Sequence, residues 1–433
     1  MKKEPGVKED AKNLGLVGAS AAVAVLITAG LLFAGVKQEP REITVRIIEP
    51  VHTLPVIPEI VAEPAPIQIE VVEVEVVAPL VGINRIYGTV TSRSGREYTG
   101  FIRWDRNEGS WTDFLDANKP SRRGGDNISG IRFGHVSSIE VLNDHSALFT
   151  LKSGDKVQLN SRASDLGTGL RALIVDQPDG SSYEFSWRDL DIIDFLPVPS
   201  AHKPNEGRLY GTMTTRSGME FTGFVTWDVD EIYTTDILNG DLDGRAQKIP
   251  FGSIKSIERF SSRASLVTLN NGEELILDGS NDVDSSISGI SISDPTLGQI
   301  KLDWHEFDRV VFHGTNDENQ FVDFDGGRRI QGTVLTESGD EITGEISWDN
   351  DEEYTWEMLD GDIRDIEFKI EFSNIDRIEK SRNGAKVTLR DGREFNLDNS
   401  NDVDDGNRGI TIRDNGRTYE VEWEDFRELR IIY

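Results

Sequence analysis

Apolar and polar residues alternate along three segments of the chain that share nearly the same sequence. They read SRSGREYTGFIRWD from Ser92, TRSGMEFTGFVTWD from Thr215 and TESGDEITGEISWD from Thr336. This alternation has the period of a β-strand with one buried face. The residues of that apolar face are Ile86, Val90, Tyr98, Ile102 and Trp104, then Leu209, Met213, Phe221, Val225 and Trp227, then Ile330, Val334, Ile342, Ile346 and Trp348. With Ser-Gly as a two-residue turn, each segment predicts a β-hairpin.

A second hairpin is predicted later in each repeat. The segments are ALFTLKSGDKVQLN from Ala147, SLVTLNNGEELILD from Ser265 and AKVTLRDGREFNLD from Ala385. Asn-Gly and Asp-Gly between alternating residues are strong hairpin signals. In the first hairpins, a glycine also interrupts the apolar face of the second strand, which predicts a bulge or a sharp bend. These glycines are Gly100, Gly223 and Gly344.

Each hairpin is followed by an aromatic residue with apolar residues three and six positions later. This spacing predicts a strand, a single helical turn and a last strand. The first halves of the repeats carry Phe133, Val136 and Ile139; Phe251, Ile254 and Ile257; Phe372, Ile375 and Ile378. The second halves carry Trp187, Leu190 and Ile193; Trp304, Phe307 and Val310; Trp423, Phe426 and Leu429. Each repeat is therefore expected to be internally duplicated.

The pattern over residues 86–433 resembles the SH3-like and Sm-like small β-barrel, in which five short strands surround an aromatic core and a 3₁₀ turn precedes the last strand. The resemblance implies an all-β fold of three tandem repeats, each built of two such barrels, and no particular function. The repeats are expected at 84–198, 206–314 and 327–433, each folding by itself. Trp104, Trp227 and Trp348 continue the apolar alternation and are expected in the core.

A different pattern precedes the repeats. Residues 14–36 carry no charge and are long enough to cross a bilayer as a helix. Four lysines lie in residues 1–13, which favours a cytoplasmic N-terminus and an extracytoplasmic body. A cleaved signal peptide is the alternative, although its apolar region is usually shorter. Residues 37–83 are rich in Pro, Glu and Val, typical of an extended linker that serves as a spacer or stays poorly ordered.

The overall charge limits the classes of molecule that are expected as partners. The chain has 77 Asp and Glu against 46 Lys and Arg, a formal net charge of −31. A surface this acidic repels phosphate backbones, so nucleic acid is not an expected partner. The protein has no cysteine, which excludes disulfides and a lipid-modified cysteine anchor. Solubility in high salt explains the acidity as well as cation binding does.

Two acidic features lie outside the apolar pattern. The first follows each tryptophan: Asp105, Asn107 and Glu108; Asp228, Asp230 and Glu231; Asp349, Asp351 and Glu352. The second follows the second hairpin of repeats 2 and 3, and repeat 1 lacks most of it: Asp278, Asn281, Asp282 and Asp284; Asp398, Asn401, Asp402 and Asp404. Closely spaced carboxylates bind Ca²⁺, but they also form ordinary turns. Turns are preferred for both, and the second set supplies the candidate Ca²⁺ ligands.

Catalytic motifs are absent from the sequence. The six histidines do not recur at matching positions, and there is no HExxH, phosphate-binding glycine loop or hydrolase serine motif. The sequence therefore predicts no enzyme and no required cofactor. It favours a single-pass, membrane-anchored periplasmic or cell-surface scaffold for other envelope proteins. The alternatives are Ca²⁺-dependent adhesion or glycan binding, and a carboxylate-based envelope enzyme. The partner and the oligomeric state are not indicated.

Overall fold

The computed structural model describes most of the chain after the linker. Within this part, no helix is long and apolar enough to cross a membrane. The predicted transmembrane segment at 14–36 and the linker at 37–83 lie outside the described residues. The described ranges are 84–120, 126–161, 164–204, 206–315 and 320–433.

The described residues form thirty β-strands and seven short 3₁₀ helices. Repeat 1 contains β1 (Tyr87–Ser92), β2 (Glu97–Trp104), β3 (Phe114–Pro120), β4 (Asp126–Arg132), β5 (Val136–Asn143), β6 (Ser146–Leu151), β7 (Lys156–Asn160), β8 (Leu173–Asp176), β9 (Ser182–Phe185) and β10 (Leu190–Phe195). Repeat 2 contains β11 (Tyr210–Thr215), β12 (Glu220–Trp227), β13 (Ile237–Leu242), β14 (Arg245–Pro250), β15 (Ile254–Arg259), β16 (Ala264–Leu269), β17 (Glu274–Asp278), β18 (Ile290–Asp294), β19 (Gly298–Leu302) and β20 (Phe307–Phe312). Repeat 3 contains β21 (Gln331–Thr336), β22 (Glu341–Ser347), β23 (Met358–Ile363), β24 (Ile366–Glu371), β25 (Ile375–Lys380), β26 (Ala385–Leu389), β27 (Glu394–Leu397), β28 (Ile410–Asp414), β29 (Arg417–Val421) and β30 (Phe426–Ile431).

The 3₁₀ helices are η1 (Phe133–His135), η2 (Gly167–Gly169), η3 (Trp187–Asp189), η4 (Phe251–Ser253), η5 (Asn281–Val283), η6 (Phe321–Asp323) and η7 (Phe372–Asn374). Four of them begin at an aromatic residue of the predicted aromatic-plus-three pattern. At the other two such positions, Trp304 and Trp423, the chain forms a turn instead. The predicted single helical turn before a last strand is therefore found at four of its six positions.

The all-β prediction is confirmed, and the strands form three antiparallel sheets. The sheet of repeat 1 has ten strands in the order β4-β3-β7-β6-β5-β10-β1-β2-β8-β9. Repeat 2 has the same order, and its sheet is extended at the β19 end by β24 and β23 of repeat 3. The remaining eight strands of repeat 3 follow the order of repeat 1. The sequence repeat is thus also a repeat of topology.

The two halves of a repeat exchange strands, which differs from the expectation that each half pairs with itself. In repeat 1, β2 pairs with β8 of the second half, and β3 meets β7 at Asn118 and Asn160. The last strands of both halves, β5 and β10, pair at the centre of the sheet. Exchanging the first five strands for the last five reverses the order of the sheet and leaves its pattern unchanged. The internal duplication therefore gives one continuous sheet with approximate twofold symmetry.

The strand glycines explain how close these exchanged strands can come. A Cβ atom on Gly223 would lie 2.1 Å from the carbonyl oxygen of Ser293 in β18. The equivalent distance from Gly100 to the Asp176 oxygen in β8 is 2.2 Å. No side chain fits there, so glycine marks a close backbone approach. The sequence predicted a bulge or bend at these positions; the register of β11 and β12 passes Gly223 without a shift.

The tryptophans of the repeated segment lie in the core, as predicted. Trp104, Trp227 and Trp348 are completely buried. The hairpin turns are longer than expected: the Ser92 amide bonds to the Arg96 carbonyl over 2.9 Å, so three residues lie between them. Gly95 takes a φ of 78° in this turn, a conformation that favours glycine.

The repeats share their cores. Phe368 of β24 contacts Phe221 of repeat 2, with ring centroids 5.8 Å apart. Trp356 of repeat 3 belongs to the apolar cluster of repeat 1 and is only 1% exposed. Repeats 1 and 2 are joined by a buried ion pair in which Arg208 lies 3.1 Å from Asp113. Such contacts make the described body one compact unit.

Candidate functional site

A tight acidic turn follows the tryptophan at the end of β2 and β12 and directly after β22. In repeat 3, Asp349 has a φ of 45°. The Trp348 amide donates to the Glu352 carbonyl over 2.8 Å, and the Glu352 amide donates back over 3.0 Å. Asp105 and Asp228 have the same conformation, with φ of 40° and 46°. Aspartate tolerates this left-handed region better than most residues, which accounts for its place in all three turns.

The first aspartate of the turn joins the two acidic features that the sequence kept separate. Asp349 accepts hydrogen bonds from the backbone amide of Arg408 and from Nδ2 of Asn401. Asp228 makes the equivalent contacts with Ser288 and Asn281. Two of the predicted Ca²⁺ ligands, the asparagines, therefore serve as hydrogen-bond donors that hold the two loops together.

A buried aspartate of the second loop ties together the tryptophan and the third strand. The backbone oxygen of Asp402 accepts a hydrogen bond from the Trp348 indole over 2.9 Å. Its carboxylate accepts the amide of Asp360 in β23 over 2.7 Å. Asp282 makes the equivalent contacts with Trp227 and Asn239. This role is structural, and both aspartates are at most 5% exposed.

Repeat 1 has the same buried aspartate, which the sequence comparison missed. The indole of Trp104 donates to the Asp165 oxygen over 2.8 Å, and the Asp116 amide donates to the Asp165 carboxylate over 2.7 Å. The loop of repeat 1 is one residue longer between Leu159 and Asp165 than the equivalent loop of repeat 2. That insertion moves the aspartate out of alignment, and only a gap in the comparison would have revealed it.

The other predicted Ca²⁺ ligands lie at turns and strand ends. Asp284 accepts the amide and hydroxyl of Ser286, and Asp404 accepts the amide of Gly406. Asp278 ends β17 and is exposed. Asp398 shares a single backbone bridge with Asp362. None of the eight residues belongs to a group of three converging acids within the described part of the chain. Ca²⁺ binding by the eight residues stays a prediction.

The carboxylates that do converge belong to the turn after the tryptophan. Among the described residues, groups of three whose oxygens lie within 4.8 Å of one another are found in repeats 2 and 3: Asp228, Asp230 and Glu231; Asp349, Asp351 and Glu352. In repeat 1, Asn107 replaces the middle aspartate. The sequence favoured a turn for this feature, and the structure shows a turn that also gathers acids.

Burial makes these groups resist ionisation. Burial, with the neighbouring Asp230, Asp282 and Asp228 charges, raises the pKa of Glu231 to about 9. Burial and the Asp402 carboxylate raise the pKa of Glu352 well above its usual value. Glu352 is only 8% exposed, and its Oε2 accepts no hydrogen bond from the described residues. Glu231 therefore either keeps its proton at neutral pH or shares a cation, and the environment of Glu352 disfavours its charged form in the same way.

The repeats differ in whether an arginine offsets the negative charge of this acidic turn. In repeat 3, the Arg408 guanidinium lies 2.6 Å from Asp351 and donates to Asp349 over 2.8 Å. In repeat 1, Arg171 occupies the same position and donates to Asp105 over 3.0 Å. In repeat 2, Ser288 stands there, and within the described ranges no Lys or Arg forms an ion pair with the acidic group. Repeat 2 therefore has the least compensated cluster.

A second candidate site is the sheet edge through which repeats 2 and 3 join. Strand β19 of repeat 2 pairs with β24 of repeat 3 along its whole length. Ile300 lies opposite Phe368, and Lys301 lies opposite Glu367. Phe368 fills the space beside Phe221, and Phe395 packs 5.2 Å from it. Backbone pairing and an aromatic pocket thus act together at this edge, as in proteins that bind an added strand.

The equivalent edges of the other repeats end their sheets. Strands β9, β19 and β29 occupy equivalent places in their sheets, because each one pairs with the equivalent neighbour: β8, β18 or β28. No described strand pairs with the outer side of β9 or β29. Beside β29 lies an open groove of about 640 Å³ that is lined by Ile342 and Tyr419. These two residues stand where repeat 2 has Phe221 and Ile300.

Comparison with known proteins adds no relative to this description. The chain matches no protein-family model, no curated protein and no solved structure.

Proposed function

We propose that this protein is a single-pass membrane-anchored scaffold whose extracytoplasmic body binds other envelope proteins by accepting a β-strand at its open sheet edges. The uncharged apolar segment at 14–36 and the lysines before it support this location. The acidic surface, with a formal net charge of −31, supports protein partners over nucleic acid.

One observation carries the proposal: the molecule already uses this binding mode on itself. Strand β19 holds the β23–β24 hairpin of the next repeat by five paired residues and an aromatic contact. The same edge recurs in β9 and β29 without a partner strand among the described residues. Native proteins usually protect long open edges, so an edge that is left open in a binding geometry favours a partner.

In this proposal, an SH3-like unit of five strands is the part of each repeat that presents the open edge. We assign one five-strand unit to β10, β1, β2, β8 and β9, and the other to β5, β6, β7, β3 and β4. The adjacency of these strands and the 3₁₀ helices η3 and η1 before β10 and β5 support the assignment. Each unit combines strands of both halves, so neither half alone supplies a complete unit.

Proximity labelling in native membranes tests the scaffold. The full-length protein with a labelling enzyme at its C-terminus is compared with the same enzyme on residues 1–83 alone. We expect a set of extracytoplasmic proteins that only the full-length protein labels. Identical sets for the two proteins, or labelling of cytoplasmic proteins, would rule out the proposed role.

A second candidate function is Ca²⁺-dependent adhesion, which the acidic clusters favour. Repeat 2 places Asp228, Asp230 and Glu231 together, and no Lys or Arg of the described residues forms an ion pair with their carboxylates. Oxygen ligands of this kind suit Ca²⁺. Because a ligand that binds only the folded state stabilises it, millimolar Ca²⁺ is expected to raise the melting temperature of the full-length protein.

Matched variants test whether the acidic cluster of repeat 2 causes this rise in melting temperature. Asp230→Asn removes a carboxylate from the cluster of repeat 2 and should reduce the Ca²⁺-dependent rise. Asp179→Asn alters an exposed aspartate of a repeat 1 turn and should leave the rise unchanged. A melting temperature that is insensitive to Ca²⁺ in the unmodified protein would leave the clusters as structural turns.

A further inference from the structure

We infer that the β29 edge and its groove bind an extended strand of another protein that carries an aromatic residue flanked by a lysine or arginine. This inference rests on the proposed scaffold function and names the site and the chemistry of the partner. It follows from treating the β19–β24 contact as the occupied form of a site that is open in repeat 3.

The backbone of β29 is arranged to receive a strand. In the occupied copy, the Glu371 amide donates to the Leu297 carbonyl over 3.0 Å, and these residues are opposite each other by extension of the β19–β24 register. Hydrogen-bonded pairs alternate along an antiparallel ladder, so Gln299 and Lys301 also direct their amides toward β24. Thr418 and Glu420 hold these positions in β29. Their amides therefore point outward, away from β28.

The groove beside β29 explains the aromatic residue. Phe368 of the bound hairpin lies against Phe221 and opposite Ile300, which are both buried beneath it. In repeat 3 the equivalent Ile342 and Tyr419 are only partly buried and line the open groove. The Phe-Ile pair of repeat 2 becomes an Ile-Tyr pair in repeat 3, and the groove of about 640 Å³ beside that pair has room for a further ring. An aromatic side chain there would bury apolar surface that is now exposed.

Charge sets the second feature of the partner. In the occupied copy, Lys301 faces Glu367 across the strands. Glu420 replaces the lysine in β29, so the facing residue should be basic. The rim of the groove adds further acids, which are Asp340, Glu341, Asp414 and Asp425. Arg430 lies 3.7 Å from Glu341, and the other acids named here form no ion pair within the described part of the chain.

Two comparisons within the chain exclude the β9 edge as the site and a second copy of the chain as the occupant. In repeat 1, Tyr98 stands where repeat 3 has Ile342, and it packs on Tyr183 with ring centroids 4.6 Å apart, so a second ring of the chain itself occupies this place at β9. A second copy is a poor occupant for β29. Of its open edges, β4 and β14 contain no aromatic residue, and β9 and β29 carry a glutamate beside the ring, in Tyr183-Glu184 and Tyr419-Glu420, where a basic residue is needed. The occupant is therefore a different protein.

A synthetic hairpin serves as the probe. It has the sequence of residues 358–371 with Glu367→Lys, which places the aromatic residue between two lysines. Its binding to the fluorescently labelled full-length protein is measured by titration. We expect Thr418→Pro to weaken binding by about tenfold or more, because proline lacks the outward amide. Thr418→Val keeps the amide and should retain binding that Thr418→Pro loses. Ser182→Pro alters the equivalent position of β9 and should bind as the unmodified protein does.

A charge exchange provides a test that does not depend on proline. The Glu420→Lys variant should prefer the hairpin with the native Glu367 by roughly two- to fivefold, the reverse of the unmodified protein. Absence of binding, indifference to Thr418→Pro, or an unchanged preference in Glu420→Lys would overturn the inference. Self-association that Thr418→Pro abolishes would also overturn it and identify a second copy as the occupant.

The two proposals fail separately. If proximity labelling in native membranes recovers the same partners with Thr418→Pro as with the unmodified protein, β29 is not their site and the scaffold function stands. If the hairpin binds as expected but the full-length protein labels no specific extracytoplasmic protein, the groove is a strand-binding site and the scaffold function falls.

Discussion

At the scale of residues, one tryptophan and one aspartate organise each repeat. The indole of Trp348 donates to the backbone of Asp402, whose carboxylate accepts the amide of β23. Three parts of the repeat, the end of β22, the second acidic loop and β23, meet at this pair. The arrangement recurs with Trp227 and with Trp104, which indicates that it stabilises the fold rather than belonging to a single binding site.

Truncation of this tryptophan should strongly destabilise the folded protein. Trp348→Ala is expected to lower the free energy of unfolding by about 3–5 kcal/mol, because it leaves a cavity and loses the indole hydrogen bond. Urea denaturation of the full-length protein measures the change. Phe260→Ala, at an aromatic residue that is 59% exposed, should change it by less than about 0.5 kcal/mol. Equal effects of the two substitutions would contradict the core role of Trp348.

The buried aspartate of repeat 1 predicts an unusual pH dependence. Burial and the Asp116 charge raise the pKa of Asp165 from 3.8 to about 7. The folded state therefore holds this proton more tightly than the unfolded chain does. Between about pH 4 and pH 7 the unfolded chain loses the proton first, so this group lowers stability as the pH rises through that window.

Asp165→Asn removes this effect and keeps an oxygen for the Asp116 amide. At pH 8 the variant is expected to exceed the unmodified protein by on the order of 2–4 kcal/mol in the free energy of unfolding. At pH 4 the two should differ little. Urea denaturation at several pH values checks this, and parallel pH profiles for the two proteins would show that the aspartate ionises without penalty.

At the scale of elements, strand glycines set which strands can be neighbours. Gly223 allows the β18 backbone to lie where a side chain would otherwise be. The pairing of β12 with β18 is the step that exchanges strands between the halves. The glycine therefore recurs in all three copies of the hairpin because the tertiary structure brings another strand close to it. The alternation of apolar and polar residues alone does not reveal this reason.

Gly223→Ala should therefore disturb the sheet. The added methyl group would lie 2.1 Å from the Ser293 oxygen, so the strands must separate. We expect a loss of about 1–3 kcal/mol or more in the free energy of unfolding, measured by urea denaturation. Gly314→Ala is the control, because a Cβ atom there meets no atom within 4 Å. An equal response at both positions would refute the close-approach explanation.

At the scale of the whole molecule, the repeats support one another. Strand β24 completes the sheet of repeat 2, and Trp356 lies in the core of repeat 1. An isolated third repeat would expose Phe368 and Trp356, which are each 1% exposed in the described body. The expectation of three self-contained repeats therefore needs a test that includes neighbouring repeats.

Fragments of increasing length measure this dependence. We expect the fragment 206–433, which restores β19, to melt at a higher temperature than 327–433, because it covers Phe368 and the outer edge of β24. The body 84–433 should melt higher still, since it also covers Trp356. Circular dichroism on heating checks the order. If 327–433 melts at the same temperature as 206–433, the interface between repeats contributes nothing to stability.

The sequence by itself determined the class of fold and much of its local structure. Alternation of apolar residues located the hairpins, and the recurring aromatic spacing placed most of the 3₁₀ helices, because these features depend on neighbours along the chain. The burial of Trp104, Trp227 and Trp348 also followed from alternation. Tertiary structure decided which strands pair, since β2 could bond to β3 or to β8 with the same pattern of side chains. It also joined the two acidic features around Asp349 and Asp402 and revealed the open edge of β29, because residues distant in sequence meet only when the sheet is complete.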